Sequence, residues 1–148
     1  MRISLRSALL ALALLLATAA YAANDTPVGT WTQVDDATGK PKSIIEITEQ
    51  SDGTLQGVVK QVLFSDQGTH PICDKCSGER HNKPVDGMVI MWGVKKDGDV
   101  WDGGQILDPN NGKSYRVELS LRDGGRKLDV KGFLLFFHRT QTWIRKTD

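Results

Sequence analysis

The chain has 148 residues, 39% hydrophobic and 25% charged, with a formal net charge of +1. Setting residues 1–22 aside leaves 126 residues with 17 Lys and Arg against 18 Asp and Glu, a formal charge of −1. That length is one domain's worth. A scattered, near-neutral charge excludes an electrostatic grip on nucleic acid or on an anionic membrane.

The first element is a leader. Arg2 and Arg6 give a positive start, Ala8 to Ala20 is Ala and Leu apart from Thr18, and Ala20-Tyr21-Ala22 offers small residues around a cleavage point. This is the three-part pattern of a secretory signal peptide, cleaved near Ala22. The apolar run falls short of the roughly 20 residues of a transmembrane helix, so an uncleaved anchor is the weaker reading. No lipobox cysteine follows. Residues 23–148 are therefore expected as one periplasmic or secreted domain, with no stable membrane insertion, in a compartment where cysteines oxidise.

Beyond the leader the chain reads as strands. Tyr115, Val117, Leu119 and Leu121 alternate with Arg116, Glu118 and Ser120, the period of a half-buried strand. In chain order, strands are expected over 28–34, 43–49, 54–62, 87–94, 100–107, 113–121, 127–133 and 139–146. Asp-Gly pairs at 52–53, 97–98 and 123–124 each lie between two of them and supply the positive φ angles of tight hairpins. Gly39-Lys40-Pro41 and Asp108-Pro109-Asn110-Asn111-Gly112 are further turn signals. Eight sequential strands joined by short turns favour an antiparallel meander, and closing it into an up-and-down barrel removes the exposed edges. A two-sheet sandwich is the alternative, but it usually needs long crossovers. One connection is long, residues 64–86, and loops of that length are usually functional or disordered.

That loop carries Cys73 and Cys76, for which three readings stand. An oxidising compartment favours a disulfide, which on a chain-entropy estimate is worth about 2 kcal/mol for so short a ring. A redox pair usually sits where a strand enters a helix, and Ser77-Gly78-Glu79-Arg80 has no helical period. Zinc could take His70, Cys73, Cys76 and His81, four acceptable ligand types at spacings that match no standard finger. Trp31, Trp92, Trp101 and Trp143 fall on four strands, with Tyr115 and Phe133 on two more. They read as core packing or, for Trp92, Trp101, Tyr115 and Phe133, as the lining of a ligand cavity. No nucleophile elbow, phosphate loop, cofactor motif or carboxylate pair at a defined spacing is present. No catalytic residue and no cofactor is therefore assigned, and the chain reads as a binder rather than an enzyme.

Two ends of the domain carry a signature. Gly29-Thr30-Trp31 opens the first strand and Trp143-Ile144-Arg145 closes the last, which resembles the lipocalin arrangement of a Gly-x-Trp meeting a late Arg. There the Trp plugs one end of the barrel and the Arg lies across it, gaining cation–π energy and covering apolar surface. A fuller resemblance runs through Val28-Gly29-Thr30-Trp31, Thr38-Gly39-Lys40-Pro41, Cys73-Asp74-Lys75-Cys76, Gly104-Gln105-Ile106-Leu107-Asp108-Pro109, Asn111-Gly112-Lys113-Ser114-Tyr115 and Arg139-Thr140-Gln141-Thr142-Trp143 with Arg145. These stretches resemble a bacterial family of exported proteins labelled only as a domain of unknown function and similar to lipocalins in fold. The resemblance implies a calycin-like barrel and no established reaction. One departure is His138, where the resemblance calls for a Gly that would permit a bulge. The expectation is then an exported barrel holding a small apolar or amphipathic ligand at its mouth, with the 64–86 loop as rim or lid. The alternative is a side-chain-filled barrel serving as a structural or protein-interaction module of the envelope. The sequence does not name the ligand, the partner or the oligomeric state.

Overall fold

The alternating stretches form strands in a computed structural model that describes residues 24–147. The leader expectation falls on residues outside that range. The strands are β1 (Gly29–Val34), β2 (Pro41–Glu49), β3 (Leu55–Val62), β4 (Val89–Asp97), β5 (Val100–Asp108), β6 (Lys113–Arg122), β7 (Lys127–Leu134) and β8 (Phe137–Arg145). They pair antiparallel in sequence order and close into one barrel. Closure is made by Trp31 opposite Arg145, Thr32 opposite Ile144 and Gln33 opposite Trp143. Among the described residues no strand is left with an unpaired edge, which is the physical gain of closure over an open sheet.

Period two decides what points inward. Trp31 on β1, Ile45 and Ile47 on β2, Val117 and Leu119 on β6, Leu128 on β7 and Trp143 on β8 are all fully buried. The three Asp-Gly pairs lie where expected, in the β2–β3, β4–β5 and β6–β7 turns. In the β2–β3 turn the Asp52 carboxylate accepts from the Thr54 amide and hydroxyl at 2.9 and 2.7 Å, so the turn satisfies its own polar groups. These three turns, residue 24 and the end of β8 lie at one end of the barrel. The β1–β2, β5–β6 and β7–β8 turns and the long connection lie at the other. His138 enters β8 without a bulge. It stands directly opposite Phe133 in an unbroken register from Lys127–Ile144 to Leu134–Phe137.

Candidate functional site

The first end is a plug. The Trp31 indole is sealed from solvent and donates to the Pro27 carbonyl at 2.8 Å. The Arg145 guanidinium lies 4.3 Å from the Trp31 ring centroid. It donates to the carbonyls of Gly125 (2.7 Å), Val28 (3.0 Å) and Thr26 (2.7 Å). One planar fork thus ties the β6–β7 turn to the segment before β1, which a lysine could not do. Burial lowers the Arg145 pKa, and the neighbouring carbonyls make good that lost hydration. Gly29 has φ +141°, and a Cβ built on it would stand 2.6 Å from Arg145 Nη1. The glycine is what lets the guanidinium lie this close.

The second end is open. A cavity of about 530 Å³ lies there, within the 300–1,000 Å³ typical of small-molecule sites. Its lining divides by chemistry. Val59 and Val62 of β3, Ile90 of β4, Leu107 of β5 and Val130 of β7 are apolar, whereas Gln33, Ser43 and Gln141 of β1, β2 and β8 are polar. Gly132 on β7 leaves room where a larger side chain would intrude. Lys42 and Arg139 sit on the polar side of the rim, while Asp66, Asp74 and Asp108 belong to the loop side. Lys42 pairs with Asp35 at 3.7 Å and Arg139 with Asp36 at 2.9 Å. Hydrogen bonds from the Thr38 backbone and hydroxyl hold the Asp35 carboxyl below the usual carboxylate range.

The long connection between β3 and β4 is an ordered rim. Ile72 and Pro84 form an isolated bridge. Around it the Cys73 amide donates to the Lys83 carbonyl at 2.8 Å and the Val85 amide to the Pro71 carbonyl at 2.9 Å. Asp86 ties the loop to the barrel by accepting from the Val62 amide at 2.7 Å. Cys73 and Cys76 are joined by a disulfide, and both are buried. Next to them the Lys75 backbone rests against Gly112, so closely that a Cβ there would collide with the Lys75 carbonyl. The turn signal 108–112 is therefore also the seat of the cysteine loop.

The other expected site residues separate. Tyr115 lines the cavity, its hydroxyl accepting from Asn111 Nδ2 at 2.9 Å. Trp92, Trp101 and Phe133 are not in the lining, which corrects the expectation for them. Phe133 lies between Gly132 and Leu134, both lining residues, so it is one residue out of phase. Its ring is covered from outside by Arg116 at 3.9 Å. Trp92 stacks under Arg80 of the loop at 4.7 Å. Trp101 is buried at the plugged end, where β5 begins. The zinc alternative also separates. His81 Nδ1 faces the Cys76 carbonyl at 2.9 Å, while His70, 90% exposed, lies 3.5 Å from Asp86. With the two sulfurs bonded to each other, the four residues do not converge. Among the described residues no group of three or more His, Cys, Asp or Glu is arranged to hold a metal ion.

Sequence reasoning missed Gln33, Ser43 and Gln141. The signal was available: Gln33 is two residues from Trp31 and Gln141 two from Trp143, so each shares its tryptophan's inward phase. It also missed the run Leu134-Leu135-Phe136-Phe137 at the β7–β8 turn, where Leu135 is 95% and Phe136 98% exposed.

Residues 29–145 match the family described as an uncharacterized protein conserved in bacteria, DUF2147. The chain belongs to this family. Its fold is lipocalin-like. It is similar to the structure of protein HP1028 from Helicobacter pylori, described as belonging to the lipocalin family, with a TM-score of 0.69 and 19% identity over 83% of this chain and 84% of that one. No curated protein matches the chain. The resemblance to a bacterial family of unknown function therefore holds, as does the closed eight-stranded barrel.

Proposed function

We propose that the protein is an exported binder that holds a small apolar or amphipathic molecule in the cavity at the open end, and that it is not an enzyme. The observation that carries this reading is the cavity itself: about 530 Å³, apolar on one wall and hydrogen-bonding on the other. Small-molecule sites have this make-up, mostly apolar with a few placed polar groups. The disulfide, the leader-like sequence and the lipocalin-like fold support export and binding together. Among the described residues no helix is long and apolar enough to cross a membrane. Tyr115 is the lining residue foreseen from sequence, and the 64–86 loop is read as the rim. Native mass spectrometry on protein purified from its own periplasm tests the proposal. The expected result is one small molecule per chain, released on unfolding. A bare chain mass, together with no binding of any amphipathic probe, would overturn it.

One observation favours a second reading, an interaction module of the envelope. Leu134, Leu135, Phe136 and Phe137 are all exposed at one turn, with Phe64 and Ile72 exposed on the loop nearby. Exposed apolar clusters commonly mark contact surfaces. The readings part on one variant. Leu135→Ser with Phe136→Ser leaves ligand affinity unchanged if the cavity is the function. It abolishes association with the envelope fraction if docking is.

A further inference from the structure

The polar wall of the cavity carries a chain of hydrogen bonds whose direction one residue decides. Trp143 Nε1–H can only donate, and it points at the Gln141 carboxamide, whose Oε1 lies 3.3 Å away. The indole thereby settles which way the Gln141 amide is turned: oxygen toward the tryptophan, nitrogen away. Gln33 approaches the same oxygen at 3.0 Å, so it must present its own Nε2, because two oxygens would repel. The Gln33 oxygen is then turned to Ser43, whose hydroxyl donates to it at 2.6 Å. Both carboxamide oxygens are thus engaged inside the wall. The groups left over are N–H donors: the Gln141 Nε2 hydrogens, which no described residue accepts, and the second hydrogen of Gln33 Nε2. No buried side-chain nitrogen or oxygen among the described residues lacks a partner, so Gln141 Nε2 is not buried. Gln141 lines the cavity, which is where that nitrogen opens. Arg139, two residues along β8 on the same face, also lines the cavity, with its charge paired to Asp36.

From this we infer that the bound molecule carries a hydrogen-bond acceptor, a carboxylate or carbonyl, against Gln141 and Gln33, with its apolar part along Val59, Ile90, Leu107 and Val130. The inference rests on the cavity being a ligand site. A donor-only group such as an ammonium meets on this wall only the Ser43 hydroxyl oxygen and carboxamide oxygens that are already engaged, so it recovers less of its lost hydration there. Specificity is therefore a matter of polarity sign at one amide. Discrimination of this kind can be large because the wrong partner leaves buried groups unpaired.

Two probes of equal chain length, decanoate and decylammonium, titrated calorimetrically into the exported chain, test this directly. Decanoate should bind at least about tenfold more tightly, as expected for a charge-assisted hydrogen bond. Gln141→Glu keeps an oxygen for Trp143 but turns a carboxylate toward the cavity, so it should invert the preference. Gln141→Leu should erase the preference while both probes still bind through their chains. Near-UV circular dichroism checks that each variant is folded, and the wild-type comparison needs no variant. Equal affinity of the two probes in the wild type, or an unchanged preference in folded Gln141→Glu, overturns the acceptor assignment while leaving the cavity reading intact. Binding of neither probe overturns the cavity reading, and the assignment with it.

Discussion

The two ends of this barrel are built from the same strands and do opposite things. On β1 the step from Trp31 to Gln33 takes the interior from a sealed indole to a cavity-lining amide. On β8 the step from Arg145 through Trp143 to Gln141 makes the same passage. At the plugged end, the Trp31 indole and the Arg145 guanidinium bond within the structure: Trp31 to Pro27, Arg145 to three carbonyls. At the open end, smaller or polar inward residues leave volume and spare donors. Strand alternation decides that a residue faces in. Side-chain volume and hydrogen-bonding capacity at that position decide whether it closes the barrel or leaves a site.

The sharpest way to break the contrast is to unplug the sealed end. Trp31→Ala removes a fully buried indole from under Arg145 and should cost about 3–5 kcal/mol in urea unfolding. A cost below 1 kcal/mol would mean the plug does not hold the barrel shut. Arg145→Lys keeps the charge but loses the fork that reaches Gly125, Val28 and Thr26. An expected loss of about 1.5–3 kcal/mol should appear as a lower denaturation midpoint, and a wild-type midpoint would contradict the account. The open end answers differently. Cys73→Ser with Cys76→Ser should cost at most about 2 kcal/mol. Its hydrogen-exchange gain should be confined to residues 63–88, with β1, β2 and β8 protected as before. Faster exchange throughout the barrel would show that the loop staples the whole domain.

The smallest effect is in acid. Hydrogen bonds from the Thr54 backbone and hydroxyl lower the Asp52 pKa, and the Lys127 ammonium lowers that of Asp123. Both lie in turns at the plugged end. Their folded pKa values lie below the ordinary 3.8, so the stability they contribute is complete above that pH. It is lost as pH falls toward the folded values. Unfolding midpoints of Asp52→Asn and Asp123→Asn, measured from pH 6 down to 3, should fall less steeply than wild type. Parallel slopes would remove these carboxylates from the account.

Much of the fold was legible because each layer of signal agreed. Alternation placed eight strands, and the Asp-Gly pairs placed the tight turns. The Gly-x-Trp and late Arg placed the plug, down to the contact between Trp31 and Arg145. The site was legible only in part. Phe133 was read by type rather than phase, although Val130 and Gly132 show that odd positions on β7 face outward. Trp92 depends on Arg80, a contact across the long loop that no local pattern reveals. The cavity wall of Gln33, Ser43 and Gln141 lies on inward phases, but a glutamine in a barrel reads as surface until its neighbours' volumes are known. The exposed Leu134–Phe137 run stood in plain view as four consecutive apolar residues, and only its place on a turn tip reveals that it is uncovered.

The two indole N–H groups offer the most direct test of the contrast between ends. Trp31 Nε1 lies in the plug on Pro27, and Trp143 Nε1 lies in the cavity wall on Gln141. In a nitrogen–proton correlation spectrum titrated with decanoate, the Trp143 indole signal should shift, with amides of residues 63–88, while the Trp31 signal stays in place. An unmoved Trp143 signal at saturating probe, or a shift centred on Trp31, would contradict an open binding end set against a sealed one.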